Sequence, residues 1–271
     1  MGRFLIAVAL SLALAGAAQG QSRDENWKRC VDNNPDISIG GCTAVIQGGG
    51  ETNATLATAF DNRGISYGEK GQHDRAIQDF DQAIRLNPSD ASAFHNRGKA
   101  YDLKGQHDRA IQDYDQAIRL NPSYALAFTN RGIAYGQLGQ HDRAIQDHDQ
   151  ALRLNPSDAV AFNGRCWAKL HLDRVESALA DCETSLRLRP NDAETLDSRG
   201  AAHLRLGRLH AARADYEAAL RIDPRNAHSL FGRGVVRRRQ GDLAGGDADL
   251  AAARAIEADI DARMAKLGIR P

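Results

Sequence analysis

Apolar positions recur every three or four residues along most of this chain, and the stretches carrying them come in pairs. Phe60, Gly64 and Tyr67 fall on one face of a first predicted helix, and Ala76, Phe80 and Ala83 on one face of a second, with Gly71 between them. A proline closes each pair: Pro88, Pro122, Pro156, Pro190 and Pro224 stand thirty-four residues apart. Proline cannot continue a helix and drives the residue before it out of the helical region, so each second helix must end there. Arg63, Arg97, Arg131, Arg165, Arg199 and Arg233 keep the same interval. GQHDRAIQDFDQAIRLNP from Gly71 returns almost unchanged from Gly105 and again from Gly139.

With these residues in view, the chain resembles the tetratricopeptide repeat family, whose helix-turn-helix unit has this length and the order aromatic, Gly, Tyr, Ala, aromatic, Ala, Pro. The resemblance implies an all-α fold, a right-handed superhelical solenoid of stacked repeats, because one helix pair cannot bury its apolar face alone. Counting Ala57 as position one, the units run 57–90, 91–124, 125–158, 159–192, 193–226 and 227–260. The fourth departs with Cys166 for Gly and Cys182 for the second aromatic. The sixth has Gly246 and Ala258 where Ala and Pro are expected, so it reads as a modified cap. Residues 21–56 form a degenerate seventh unit capping the other end. From Ala244 to Leu267 no proline intervenes, and Leu250, Ala253, Ile256, Ile260, Met264 and Leu267 keep helical spacing. That predicts one long capping helix stopped at Gly268, with residues 261–271 as its end and tail.

Each repeated position has a packing reason. Small pairs such as Gly64 with Ala76, Gly98 with Ala110 and Gly132 with Ala144 let antiparallel helices approach, while aromatic residues fill the space beside them. Every unit with Arg at position seven has Asp at position twenty-three. The expected structural ion pairs are Arg63 with Asp79, Arg97 with Asp113, Arg131 with Asp147, Arg165 with Asp181, Arg199 with Asp215, and Arg233 with Asp249. An anion site on these arginines is the sharper reading, but a carboxylate is supplied for each guanidinium.

Cys30 and Cys42 occupy positions eight and twenty of the degenerate unit. Helix axes ~8–10 Å apart bring facing Cα atoms within disulfide range, so a bond is expected there. For Cys166 and Cys182, at positions eight and twenty-four, the offset of about one turn leaves two outcomes open, a disulfide or two buried thiols with compensating volumes. Bonding suits an exported protein. Export is also the reading of the N-terminus: residues 1–20 have Arg3, an apolar run from Phe4, and small residues Ala18 and Gly20 before Gln21, the pattern of a cleaved signal peptide. The mature protein is expected to be periplasmic, or secreted, with no stable membrane anchor.

Composition then narrows the function. Lys+Arg and Asp+Glu both number 35, which removes the bulk electrostatic case for nucleic acid. No Gly-rich phosphate loop, nucleophile elbow or helix-borne metal motif occurs, so the expectation is no enzyme, no cofactor and no metal. His73, His107 and His141 recur at the repeat interval and read as solvent-facing residues too far apart to share an ion.

What remains is binding. The resemblance implies a concave groove for peptides or protein surfaces, lined by positions two, five, six, nine, twelve and thirteen of each first helix. Asn62, Asn96 and Asn130 share position six, and either form a ladder for the amides of an extended peptide or simply belong to an Asn-Arg-Gly consensus. Residues 21–158 carry 15 basic and 19 acidic side chains, residues 159–271 carry 19 and 16. Arg205, Arg238 and Arg239 fall on groove positions of the basic part. With Trp167 at position nine they make a hot-spot candidate for an acidic peptide, the alternative being a solvated arginine face with Trp167 packed on its neighbour. The expected function is an exported scaffold holding a protein or peptide. The alternative is a structural subunit that self-associates or joins a cell-envelope complex.

Overall fold

The computed structural model describes residues 22–271; the segment read as a signal peptide lies outside the described residues. Among them only helices and turns occur, and the chain forms two compact units, one ending at Pro122 and the other beginning at Ser123. The first holds α1 (22–30), α2 (Pro35–Gly48), α3 (Asn53–Glu69), α4 (His73–Leu86), α5 (Ala91–Leu103) and α6 (His107–Leu120). The second holds α7 (Ala125–Gln137), α8 (His141–Leu154), α9 (Ala159–His171), α10 (Val175–Leu188), α11 (Ala193–Arg205), α12 (Leu209–Ile222), α13 (Ala227–Arg239), α14 (Leu243–Ile256) and α15 (Ile260–Lys266). Each unit is built from antiparallel helix pairs stacked on their neighbours, the architecture of an all-α repeat solenoid.

Local chemistry sets these elements. Gly71, Gly105, Gly139, Gly207 and Gly241 end the first helices at positive φ, between 70° and 92°, a region an L side chain enters only with strain. Asp173 holds the equivalent place after α9 at φ 61°; short polar Asp is among the few side chains that tolerate this region. Asp90, Asp158 and Asp192 then cap the following first helices by accepting backbone N–H bonds.

The core follows the repeat. A Cβ on Gly64 would stand 2.7 Å from the Phe80 ring, on Gly98 2.8 Å from Tyr114, on Gly132 2.8 Å from His148, and on Gly200 2.9 Å from Tyr216. Position eight is therefore small because the ring at position twenty-four lies over it. In the fourth repeat both positions change together: Cys166 and Cys182 form a disulfide with Cα atoms 5.6 Å apart. Cys30 and Cys42 form another, Cα atoms 4.3 Å apart, in the small cluster with Val45 and Ala59.

The C-terminal region differs from the single long helix expected. The chain leaves helix at Glu257 (φ −130°, ψ 108°) and resumes it at Ile260. The second helix of the preceding repeat exits the same way at Asp223 (φ −126°, ψ 94°), so this exit does not require the missing proline. The apolar spacing suited either course. The break lets α15 pack on α13, and Ile260, Met264, Leu267 and Ile269 are buried in one cluster with Leu170, Ala201, Leu204 and Val235. Those partners occupy first-helix positions nine and twelve, so the protein's own C-terminal segment covers part of the surface assigned to a groove. Gly268, at φ 73°, does end α15.

Candidate functional site

Several predicted residues have internal partners. In every repeat the position-seven guanidinium grips the position-twenty-three carboxylate: Arg63 Nε donates to Asp79 at 2.7 Å, Arg97 to Asp113 at 2.8 Å, Arg131 to Asp147 at 2.7 Å, Arg165 to Asp181 at 2.8 Å, Arg199 to Asp215 at 2.9 Å and Arg233 to Asp249 at 2.8 Å. A second nitrogen completes a two-pronged contact each time. Arg97 also reaches Asp81 and Arg165 reaches Asp149, both at 2.6 Å, tying each repeat to the one before. With Phe60, Phe94, Phe128 and Phe162 under the first four guanidinium groups, these arginines are committed to structure.

The position-six asparagines are half-buried. Asn62 Nδ2 lies 4.0 Å from Cys30 Sγ, and Asn96 Nδ2 donates to Asp61 at 3.1 Å. Burial pushes the Asp61 carboxyl up to about 6, against the lowering effect of Asn96. Asn130 lies on α7 of the second unit. In the later repeats Gly164 and Gly232 replace Asn for steric reasons. A Cβ on Gly164 would fall 2.4 Å from His148 Nε2, and on Gly232 2.2 Å from Tyr216 Cζ.

Two of the three groove arginines are engaged by internal partners. Arg205 donates to the Leu170 carbonyl at 2.6 Å and pairs with Asp173, and Arg238 pairs with Asp247. Arg239 is exposed, beside Arg208, His210 and Arg213 on a separate shallow depression. The second-helix histidines are more engaged than expected from the sequence. His107 Nδ1 is 2.7 Å from Asp102, and His141 stacks on His171 with centroids 4.2 Å apart.

What the fold does assemble is a pocket of about 330 Å³ within the second unit, on the face formed by first helices α7, α9, α11 and α13. Trp167 lines it, flanked edge-on by His171 at 5.2 Å and His228 at 5.8 Å. Asn163, Glu194, Asp197, Ser198 and Arg263 of α15 are among the polar walls. Asn163 Oδ1 is a buried acceptor without a hydrogen-bond partner, and Asp197 accepts one bond, from Ser229 Oγ at 2.7 Å. Burial raises the Asp197 carboxyl to about 7, reinforced by Glu194 and Glu257, while burial lowers the imidazoles of His228 and, to about 4, His148. Among the walls, position-five Asn163 and Asp197 were visible as groove positions, but α15 joining them was not.

Among the described residues no cluster of three metal-ligating side chains exists, and no helix is long and apolar enough to cross a membrane. Sequence models of the tetratricopeptide repeat match residues 62–125, 125–158 and 167–231. No curated protein matches the sequence. Among solved structures, a tetratricopeptide repeat protein from Parabacteroides merdae ATCC 43184 superposes with a TM-score of 0.69 at 18% identity, over 93% of this chain and 98% of its own. Pseudomonas aeruginosa PilF gives 0.65 at 18%, over 78% and 97%. YrrB, described as a tetratricopeptide repeat protein with an unusual peptide-binding site, gives 0.50 at 24%, over 70% and 96%.

Proposed function

The chain belongs to the tetratricopeptide repeat family, and from that premise we propose that it is an exported, non-enzymatic scaffold holding a protein or peptide segment against its first-helix face. The observation that carries this reading is the pocket under Trp167. It lies where successive first helices meet, combines an aromatic wall with an acceptor that has no internal partner, and is open to a chain lying across it. The two disulfides support export, since such bonds persist in oxidising compartments.

The face is shorter than the repeat count suggests, because α15 already covers the inner positions near Leu204 and Val235. The site therefore centres on α7, α9 and the start of α11. Photo-crosslinking side chains placed singly at Val160 and Gln137, and at Arg187 of the second helix α10, test the reading in the exporting host. A discrete foreign partner captured from the first two positions and not from Arg187 supports the scaffold. Capture of the protein's own chain, equally from all three, supports a self-assembling structural subunit instead.

A further inference from the structure

The pocket beneath Trp167 carries a sign. Glu194 and Asp197 stand one turn apart on α11, and both line it. Glu194 forms no ion pair with any described residue, and the one hydrogen bond to the Asp197 side chain comes from Ser229. Asn163 adds an unpartnered carbonyl oxygen from α9, and Trp167 presents its ring beside them. The two carboxyl groups and the Asn163 oxygen make this part of the wall rich in acceptors.

The two nearest arginines are already paired, and the exposed Lys266 lies outside the pocket wall, on the His171 side. Arg263, the one arginine in the wall, donates to Glu257 at 2.5 Å, and Arg205 is held by Asp173 and the Leu170 carbonyl. Burial keeps His148 and His228 uncharged near neutral pH. Within the wall the unpaired charge is therefore that of Glu194, with Asp197 able to ionise beside it, although the surrounding half of the chain is rich in arginine.

We propose that this pocket is a subsite for a cationic side chain, the lysine or arginine of a peptide segment lying along the first-helix face. The inference rests on the scaffold reading above and gives its partner a chemistry opposite in charge to the one the arginine count implies. An ammonium or guanidinium supplies the donors that Glu194, Asp197 and Asn163 lack, and its alkyl stem and charge suit the face of an indole. The volume, at the small end of ligand pockets, suits one long side chain.

The chain has two tryptophans, so a Trp27→Phe background leaves Trp167 as the reporter. Its fluorescence is titrated with hexapeptide mixtures fixed at one position as Lys, Arg, norleucine, Gln or Glu and randomised elsewhere, and separately with N-acetyl-lysinamide and cadaverine. The expected result is binding of the Lys and Arg mixtures at least about tenfold tighter than the norleucine and Glu mixtures, with the free amines far weaker. Glu194→Gln, an exposed change, reduces that preference. Glu194→Gln with Asp197→Asn abolishes it while the helical circular dichroism is unchanged. Equal binding of norleucine, Glu and Lys mixtures, all lost in Trp167→Ala, overturns the cationic subsite and leaves the peptide-binding face standing. Tight binding of the free amines without the peptides overturns the peptide as source. No response to any probe overturns both readings.

Discussion

Asp197→Asn is the most informative single substitution, because it separates burial of charge from loss of shape. Asp197 is 6% exposed, and its carboxyl ionises at about 7, raised chiefly by burial and further by Glu194 and Glu257 against the lowering effect of Ser229. In the unfolded chain the same group ionises near 3.8. Between those values the folded state holds a proton that the unfolded state has released, so stability falls as pH rises through the window and the loss is complete just above 7. At ~1.4 kcal/mol per pH unit over about three units, the wild type carries a penalty of ~4 kcal/mol at pH 8 that is largely absent at pH 4. Asn keeps an acceptor for Ser229 Oγ and cannot ionise. The variant should therefore gain ~4 kcal/mol on the wild type between pH 4 and pH 8, whatever constant offset the amide introduces. Urea unfolding followed through Trp167 in the Trp27→Phe background, at four pH values across this range, measures the difference directly. Titrating groups that do not interact with Asp197 are common to both proteins and cancel. A difference that stays flat with pH would mean that Asp197 is not held protonated by its surroundings, and the account of its burial would be wrong. A saturating cationic peptide should flatten it too, because a bound cation favours the ionised carboxyl.

Other perturbations test the packing. Gly164→Ala places a Cβ 2.4 Å from the ring of buried His148 and should cost ~1–3 kcal/mol in urea unfolding, whereas Gly136→Ala, which meets nothing within 4 Å, should be neutral or slightly stabilising. Asp215→Asn leaves half-buried Arg199 without its carboxylate and should lower stability by ~2–3 kcal/mol; an unchanged urea midpoint would show the pair to be dispensable. Reduction should cost ~3 kcal/mol at each disulfide from loop closure. Hydrogen exchange should rise first in α1 and α2, where Cys30 and Cys42 hold together a cluster of few apolar side chains.

How much of this could be read without coordinates varies with the range of the interaction. The helix pairs, the Gly turns and the Arg63 to Asp79 type of contact all lie inside one repeat or between neighbours. Each therefore left a periodic trace in the sequence, copied six times for the arginines. The Cys166 and Cys182 exchange was visible as a break in that period, and the reason for it, a ring at position twenty-four facing position eight, needed only the neighbouring copies to interpret. For Arg205 and Arg238, which acid each would meet depended on Asp173 and Asp247, whose positions have no repeated counterpart role.

The sequence by itself determined the fold class, the repeat frame and the sites of close helix approach, because a solenoid contacts only its neighbours and so writes its packing as a period. Tertiary structure alone decided what the first-helix face offers a ligand. The turn at Glu257 sends α15 back onto α13, covers part of that face and brings Arg263 to the pocket wall. Apolar spacing allows the turn without requiring it. The pocket's charge was likewise set by which arginines are neutralised and which carboxylates are not, a balance of distances in space that neither composition nor periodicity records.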